Sequence, residues 1–87
     1  MATRAYILIE TSIGKSQDVV NTLEGIKEVN MLDVVTGPYD IIAVIEASDL
    51  PSIGKILSNE MHRMPGIVKT VTCLSVKSTN WTFYHID

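Results

Sequence analysis

The chain reads as short apolar stretches separated by turn residues, and the period of each stretch names its element. Ala5–Thr11 alternates with a period of two: Ala5, Ile7 and Ile9 fall on one side, Tyr6 and Leu8 on the other, which predicts a strand. Ser12–Ser16 contains Gly14 and reads as a connection. From Gln17 to Leu23 the spacing changes: Val19, Val20 and Leu23, with Ile26 following, fall on one helical face. Ser16 is the expected N-cap of this helix and Gly25 its stop. Val29–Thr36 alternates again, with Val29, Met31, Asp33 and Val35 on one face, and Gly37-Pro38 closes it. Asp40–Ala47 is an almost wholly apolar third strand. Ser48 or Asp49 caps a second helix, with Pro51 tolerated in its first turn. Its buried stripe is Leu50, Ile53, Leu57 and Met61, with Ile56 beside it, and Pro65-Gly66 ends the segment. Val68–Val76 is a fourth strand, and Asn80–Ile86 is an aromatic tail expected to add an edge strand.

The order is β-α-β written twice, and Gly25-Ile26 and Gly66-Ile67 each precede a valine-rich strand. That is the split βαβ pattern, so the predicted class is α+β with a ferredoxin-like βαββαβ fold. A four-stranded antiparallel sheet carries two helices on one face. In such a sheet the helix-free face is normally polar. Here Tyr6 and Leu8 in the first strand, and Ile42 and Val44 in the third, make that face apolar as well. A second copy packed sheet to sheet is the expected cover, forming a dimeric α+β barrel.

Composition sharpens this picture. Eighty-seven residues fit one domain, spanning 1–87 with a core over 4–77 and a tail over 78–87. A domain of this size is marginal alone, yet 46% of it is apolar and only 20% charged, which again favours an oligomer. One cysteine rules out an internal disulfide and favours a reducing, cytoplasmic compartment. No stretch approaches the roughly 20 apolar residues of a membrane span. Seven basic residues against ten acidic ones, with no basic cluster, argue against direct DNA binding.

Candidate chemistry is sparse. Cys73 is alone in a strand and reads as a small buried hydrophobe. His62 and His85 stand apart, with no metal-ligand spacing, so no metal and no cofactor is expected. Glu10 and Glu46 end strands and fit rim ion pairs; without a partner acid or histidine they do not support acid–base catalysis. Asp33 reads as an edge gatekeeper or a paired interface charge. The most informative segment is Thr36-Gly37-Pro38-Tyr39-Asp40. Asp40 either accepts hydrogen bonds from its own turn, or takes the ammonium of an amino acid whose carboxylate meets exposed amides of the same loop. Thr70 and Thr72 share a face of the last strand; they are either ordinary strand formers or hydroxyls offered to a ligand or interface. Trp81, Phe83 and Tyr84 in the tail suggest docking against a neighbour.

These residues carry a family pattern. The stretches AYILIET with IGK, VVNTLEGIKEV, VVTGPYDIIAVIEASD and MPGIVKTVTCLSV resemble the C-terminal effector and oligomerisation domain of the Lrp/AsnC (feast/famine) transcriptional regulators. The resemblance runs from about Arg4 to Lys77. It implies sheet-to-sheet dimers assembled into an octamer or decamer, with an amino-acid effector bound between dimers. By the same carry-over Gly37, Tyr39 and Asp40 are ligand contacts, with Thr70 and Thr72 as weaker candidates. Full-length members carry a helix-turn-helix part ahead of this domain. The present sequence lacks one, which implies a stand-alone effector domain that modulates a full-length relative. The expected function is therefore non-enzymatic amino-acid sensing in transcription regulation. The alternatives are a purely structural assembly partner, or a small dimeric α+β barrel enzyme such as a monooxygenase.

Overall fold

The computed structural model describes residues 2–77. The elements follow in the order β1 (Thr3–Thr11), α1 (Ser16–Leu23), β2 (Val29–Val34), β3 (Ile41–Ala47), α2 (Leu50–Ile56) and β4 (Ile67–Leu74). A π-helical turn, Leu57–Met61, continues α2. The βαββαβ order is thus observed, and the strands form one antiparallel sheet in the order β2-β3-β1-β4. The predicted tail strand, Asn80–Ile86, lies outside the described residues.

β1 is central and sets the two faces. Its Ala5, Ile7 and Ile9 pair with Ile45, Ala43 and Ile41 of β3, and all six are fully buried under the helices. Val19 and Leu23 of α1, Ile53 and Ile56 of α2, and Met61 and Met64 complete this core. Burying a side chain of this size contributes about 1.5–3 kcal/mol, so this single layer dominates the stability of the domain.

The helices depart from their sequence reading in instructive ways. Ser16 is not the N-cap but the first residue of α1, and Lys15 occupies the cap position without a side-chain hydrogen bond. Gly25 follows the end of α1 without a positive φ, so no left-handed glycine cap forms. Asp49 does cap α2: its Oδ1 accepts from the Ser52 N–H at 2.8 Å, with Pro51 in the first turn. Leu50, expected in the buried stripe, is 53% exposed because the stripe begins a turn later, at Ile53. The π turn explains how the stripe continues. One residue more than an α turn places Met61 rather than Glu60 in the core, and the His62 N–H closes on the Leu57 carbonyl.

The expected closure into a dimeric α+β barrel is not observed. The sheet is open, and among the described residues β2 and β4 are edges with one neighbour each. They lie three strand spacings apart, about 14 Å, so four twisted strands of this length do not close on themselves.

Two irregularities matter. In β2, Asn30 is an extra residue between the pairs Val29–Ile45 and Met31–Val44. Val29 therefore faces the helices while Met31 and Asp33 lie on the other face, which breaks the uninterrupted alternation read from the sequence. At the start of β4, Gly66 has φ +95°, and a Cβ there meets Val19 Cγ2 at 3.0 Å and Lys15 Cβ at 3.2 Å. The missing side chain lets the first turn of α1 close on β4, where the Ser12 N–H donates to the Gly66 carbonyl at 2.8 Å.

Gly66→Ala combines backbone strain with this clash and is expected to destabilise the fold by about 1–3 kcal/mol, read as a lower urea midpoint. Asp49 gives a pH signature. Its hydrogen bonds with Ser52 lower its pKa, so the cap stabilises the fold above the ordinary carboxylate range. That contribution is lost as pH falls through the lowered value. Melting temperatures between pH 7 and about pH 2 are expected to fall less steeply on acidification for Asp49→Asn than for the wild type.

Candidate functional site

The β2–β3 connection holds the strongest candidates. β2 ends at Val34 and β3 begins at Ile41, leaving residues 35–40 to turn the chain. Gly37 sits in this turn with φ +150°, a backbone state that side chains resist, while its Cβ position is open space. Tyr39 is half-buried beside it. The turn closes through the Val35 N–H, which donates to the Asp40 carbonyl at 2.9 Å.

The Asp40 side chain is tied to the end of β1 rather than to its own turn. Its N–H donates to the Ile9 carbonyl at 2.9 Å. Its carboxylate Oδ2 accepts the Thr11 N–H at 2.8 Å and the Thr11 hydroxyl at 3.2 Å. The Thr11 Oγ1 also lies 2.7 Å from Ser16 Oγ. The Thr11 hydroxyl has one proton, and the carboxylate only accepts, so Ser16 donates to Thr11 and Thr11 to Asp40. The other carboxylate oxygen, Oδ1, has no hydrogen-bond partner among the described residues. It is not fully buried, since no buried side-chain oxygen among the described residues lacks a partner. Nothing in the sequence marks Thr11 or Ser16 as a site residue. Their only signal was position: the last residue of the first strand and the first polar residue of the first helix.

Thr70 and Thr72 lie elsewhere. They pair with Ile9 and Ile7, so they share the helix-bearing face, but on the edge strand β4. Thr70 is half-buried and Thr72 exposed. The row Ile41–Ile9–Thr70 puts two strand spacings, about 10 Å, between the start of β3 and Thr70. The structure therefore unites Gly37, Tyr39 and Asp40 in one turn and separates them from both threonines.

The helix-free face has its own polar group at the opposite end of the sheet. Arg4 Nε donates to Glu46 Oε2 at 2.9 Å, and Asn30 Nδ2 donates to Glu46 Oε1. These bonds hold the Glu46 carboxyl below its ordinary pKa, Arg4 contributing most. The hydrogen bonds that Arg4 makes to Tyr6 and Glu46 raise its own pKa. Between the two ends lie Tyr6, Leu8, Met31, Ile42, Val44 and Val71, an apolar band with Tyr6 37% and Met31 53% exposed. Cys73, expected to be buried, is exposed on this face because it sits opposite Tyr6 on an edge strand. Asp33 occupies the other edge, opposite Ile42.

Among the described residues no three His, Cys, Asp or Glu side chains converge as metal ligands. None of their helices is long and apolar enough to cross a membrane.

Residues 4–81 match the Lrp/AsnC ligand binding domain, and the chain belongs to that family. It is 28% identical over 82 residues to an uncharacterized HTH-type transcriptional regulator of Pyrococcus abyssi, covering 94% of this chain and 52% of that protein. The chain thus spans about half the length of the curated relatives it matches. The crystal structure of FFRP-DM1 superposes with a TM-score of 0.83 at 31% identity, covering 85% of this chain and 99% of that one. A transcriptional regulator from Neisseria meningitidis, solved as an L-Met complex, shares the fold with a TM-score of 0.83 at 15% identity. It is covered over 52% of its length by 90% of this chain. The family is regulatory and non-enzymatic, which sets aside the monooxygenase alternative.

Gly37→Ala tests the turn itself. With no atom in the way of the new Cβ, the expected loss of about 1–2 kcal/mol in urea denaturation arises from the backbone alone.

Proposed function

We propose that this domain binds an L-α-amino acid at the Gly37–Asp40 turn and transmits occupancy through self-association to a transcriptional regulator. The observation that carries the reading is the half-satisfied Asp40 carboxylate. Oδ2 is held by Thr11, while Oδ1 is unpartnered among the described residues and not fully buried, at the end of a turn in a ligand-binding family. A free carboxylate oxygen suits an ammonium, and a glycine-opened turn leaves room for a ligand carboxylate to approach backbone N–H groups. The relative solved with L-Met supports an amino acid as the ligand class.

Thr70 and Thr72 join this site only across copies. One chain places them on the far edge strand, so a second copy presenting its β4 beside the turn supplies their hydroxyls. The apolar band on the helix-free face is the surface for a homodimer, and the dimers assemble further into an octamer or decamer. In this reading the partner beyond self is a full-length family member, in the cytoplasm, and the DNA is contacted by that partner.

Isothermal calorimetry with each of the twenty L-amino acids tests the reading. A subset is expected to bind, and Asp40→Ala to abolish the heat while the protein stays folded. A silent panel on folded protein, or binding unchanged by Asp40→Ala, refutes it.

A further inference from the structure

The Asp40 carboxylate is held by a directed chain of hydroxyls that neither the turn nor the helix requires for its own closure. α1 has no side-chain cap although Ser16 stands at its first position; the Ser16 hydroxyl goes to Thr11 instead. β1 and β4 shift register between Glu10 and Thr11, where Val68 is the extra residue opposite. Such a bulge re-aims the strand end. Here the Thr11 N–H points to Asp40 Oδ2, and the Thr11 hydroxyl reaches the same oxygen.

Two donors from one residue of the central strand fix where Oδ2 sits. They thereby fix where Oδ1 points before any ligand arrives. A carboxylate that must be ordered during binding loses affinity to that ordering, and one already ordered does not. Resting on the reading of Asp40 as the ammonium contact, we infer that Thr11 is its positioning residue, with Ser16 orienting the Thr11 hydroxyl. Thr11 does not touch the ligand. It selects for ligands that carry one cationic N–H donor toward Oδ1, because Oδ2 is already filled.

The test repeats the twenty-amino-acid calorimetric panel on three variants, with the denaturation midpoint of each recorded. Thr11→Val keeps the branched shape and removes the hydroxyl; the amino acid bound by wild type is expected to weaken about tenfold. Ser16→Ala is expected to weaken it about threefold. Thr11→Ser keeps both donors and is expected to bind within twofold of wild type. The selective readout is the 2-hydroxy acid with the same side chain, which lacks the ammonium. Its affinity is expected to be unchanged by Thr11→Val, whereas a merely structural role weakens both ligands alike.

Equal weakening of both ligands, or Thr11→Val binding as wild type does, overturns the positioning role and leaves the amino-acid reading standing. Asp40→Ala binding as wild type does overturns that reading and the inference with it. Should Thr11→Val fail to fold, Ser16→Ala decides, since its hydroxyl lies outside the sheet ladder.

Discussion

The alternation of β1 is the constraint on which the rest of the molecule depends. A strand sends successive side chains to opposite faces, and β1 is paired on both sides. Its odd residues, Ala5, Ile7 and Ile9, therefore place the corresponding residues of β3 and β4 on the helix side. Its even residues, Tyr6 and Leu8, do the same for the helix-free side. A one-residue slip would expose Ile7 and bury Glu10, so the register is strongly specified. The end of the same strand then carries Thr11, which holds Asp40. The core and the candidate site are fixed by one element.

The second face is the consequence that links stability to assembly. A small domain with Tyr6, Leu8, Met31, Ile42, Val44 and Val71 on a helix-free face carries more apolar surface than its own helices cover. The Arg4–Glu46–Asn30 group frames that band at one end, about 23 Å along β1 from Thr11 at 3.3 Å per residue. This polar group and the Thr11–Asp40 contact thus occupy opposite ends of the central strand. Among the described residues the open edges of β2 and β4 keep the domain a sheet rather than a barrel.

The element order, the strand alternation and the second face were legible in the sequence because each follows from a local period. Positions that depended on a partner strand were not. Asn30 carries no mark of a bulge, yet it moves Met31 and Asp33 to the face opposite Val29. Cys73 looked buried between Thr72 and Leu74, but an edge strand leaves it exposed. Leu50 fits the helical stripe by spacing and misses the core because the packing starts one turn later. The π turn at Leu57–Met61 likewise has no mark in the spacing of the apolar residues, which reads as one continuous helical stripe.

The sequence by itself determined the fold class, the family pattern and the turn that carries Gly37, Tyr39 and Asp40. Backbone freedom at glycine and apolar periodicity are properties of neighbouring residues. Only the tertiary structure decided what Asp40 does with its two oxygens. Thr11 lies 29 positions away in the chain, and no local period reports a contact of that separation. The same holds for Thr70 and Thr72. The sequence put them on one face of one strand, and the sheet order then placed that strand at the edge away from the turn. Hydrogen bonds between strands, which pair distant residues, assign such roles; periodicity within a strand does not.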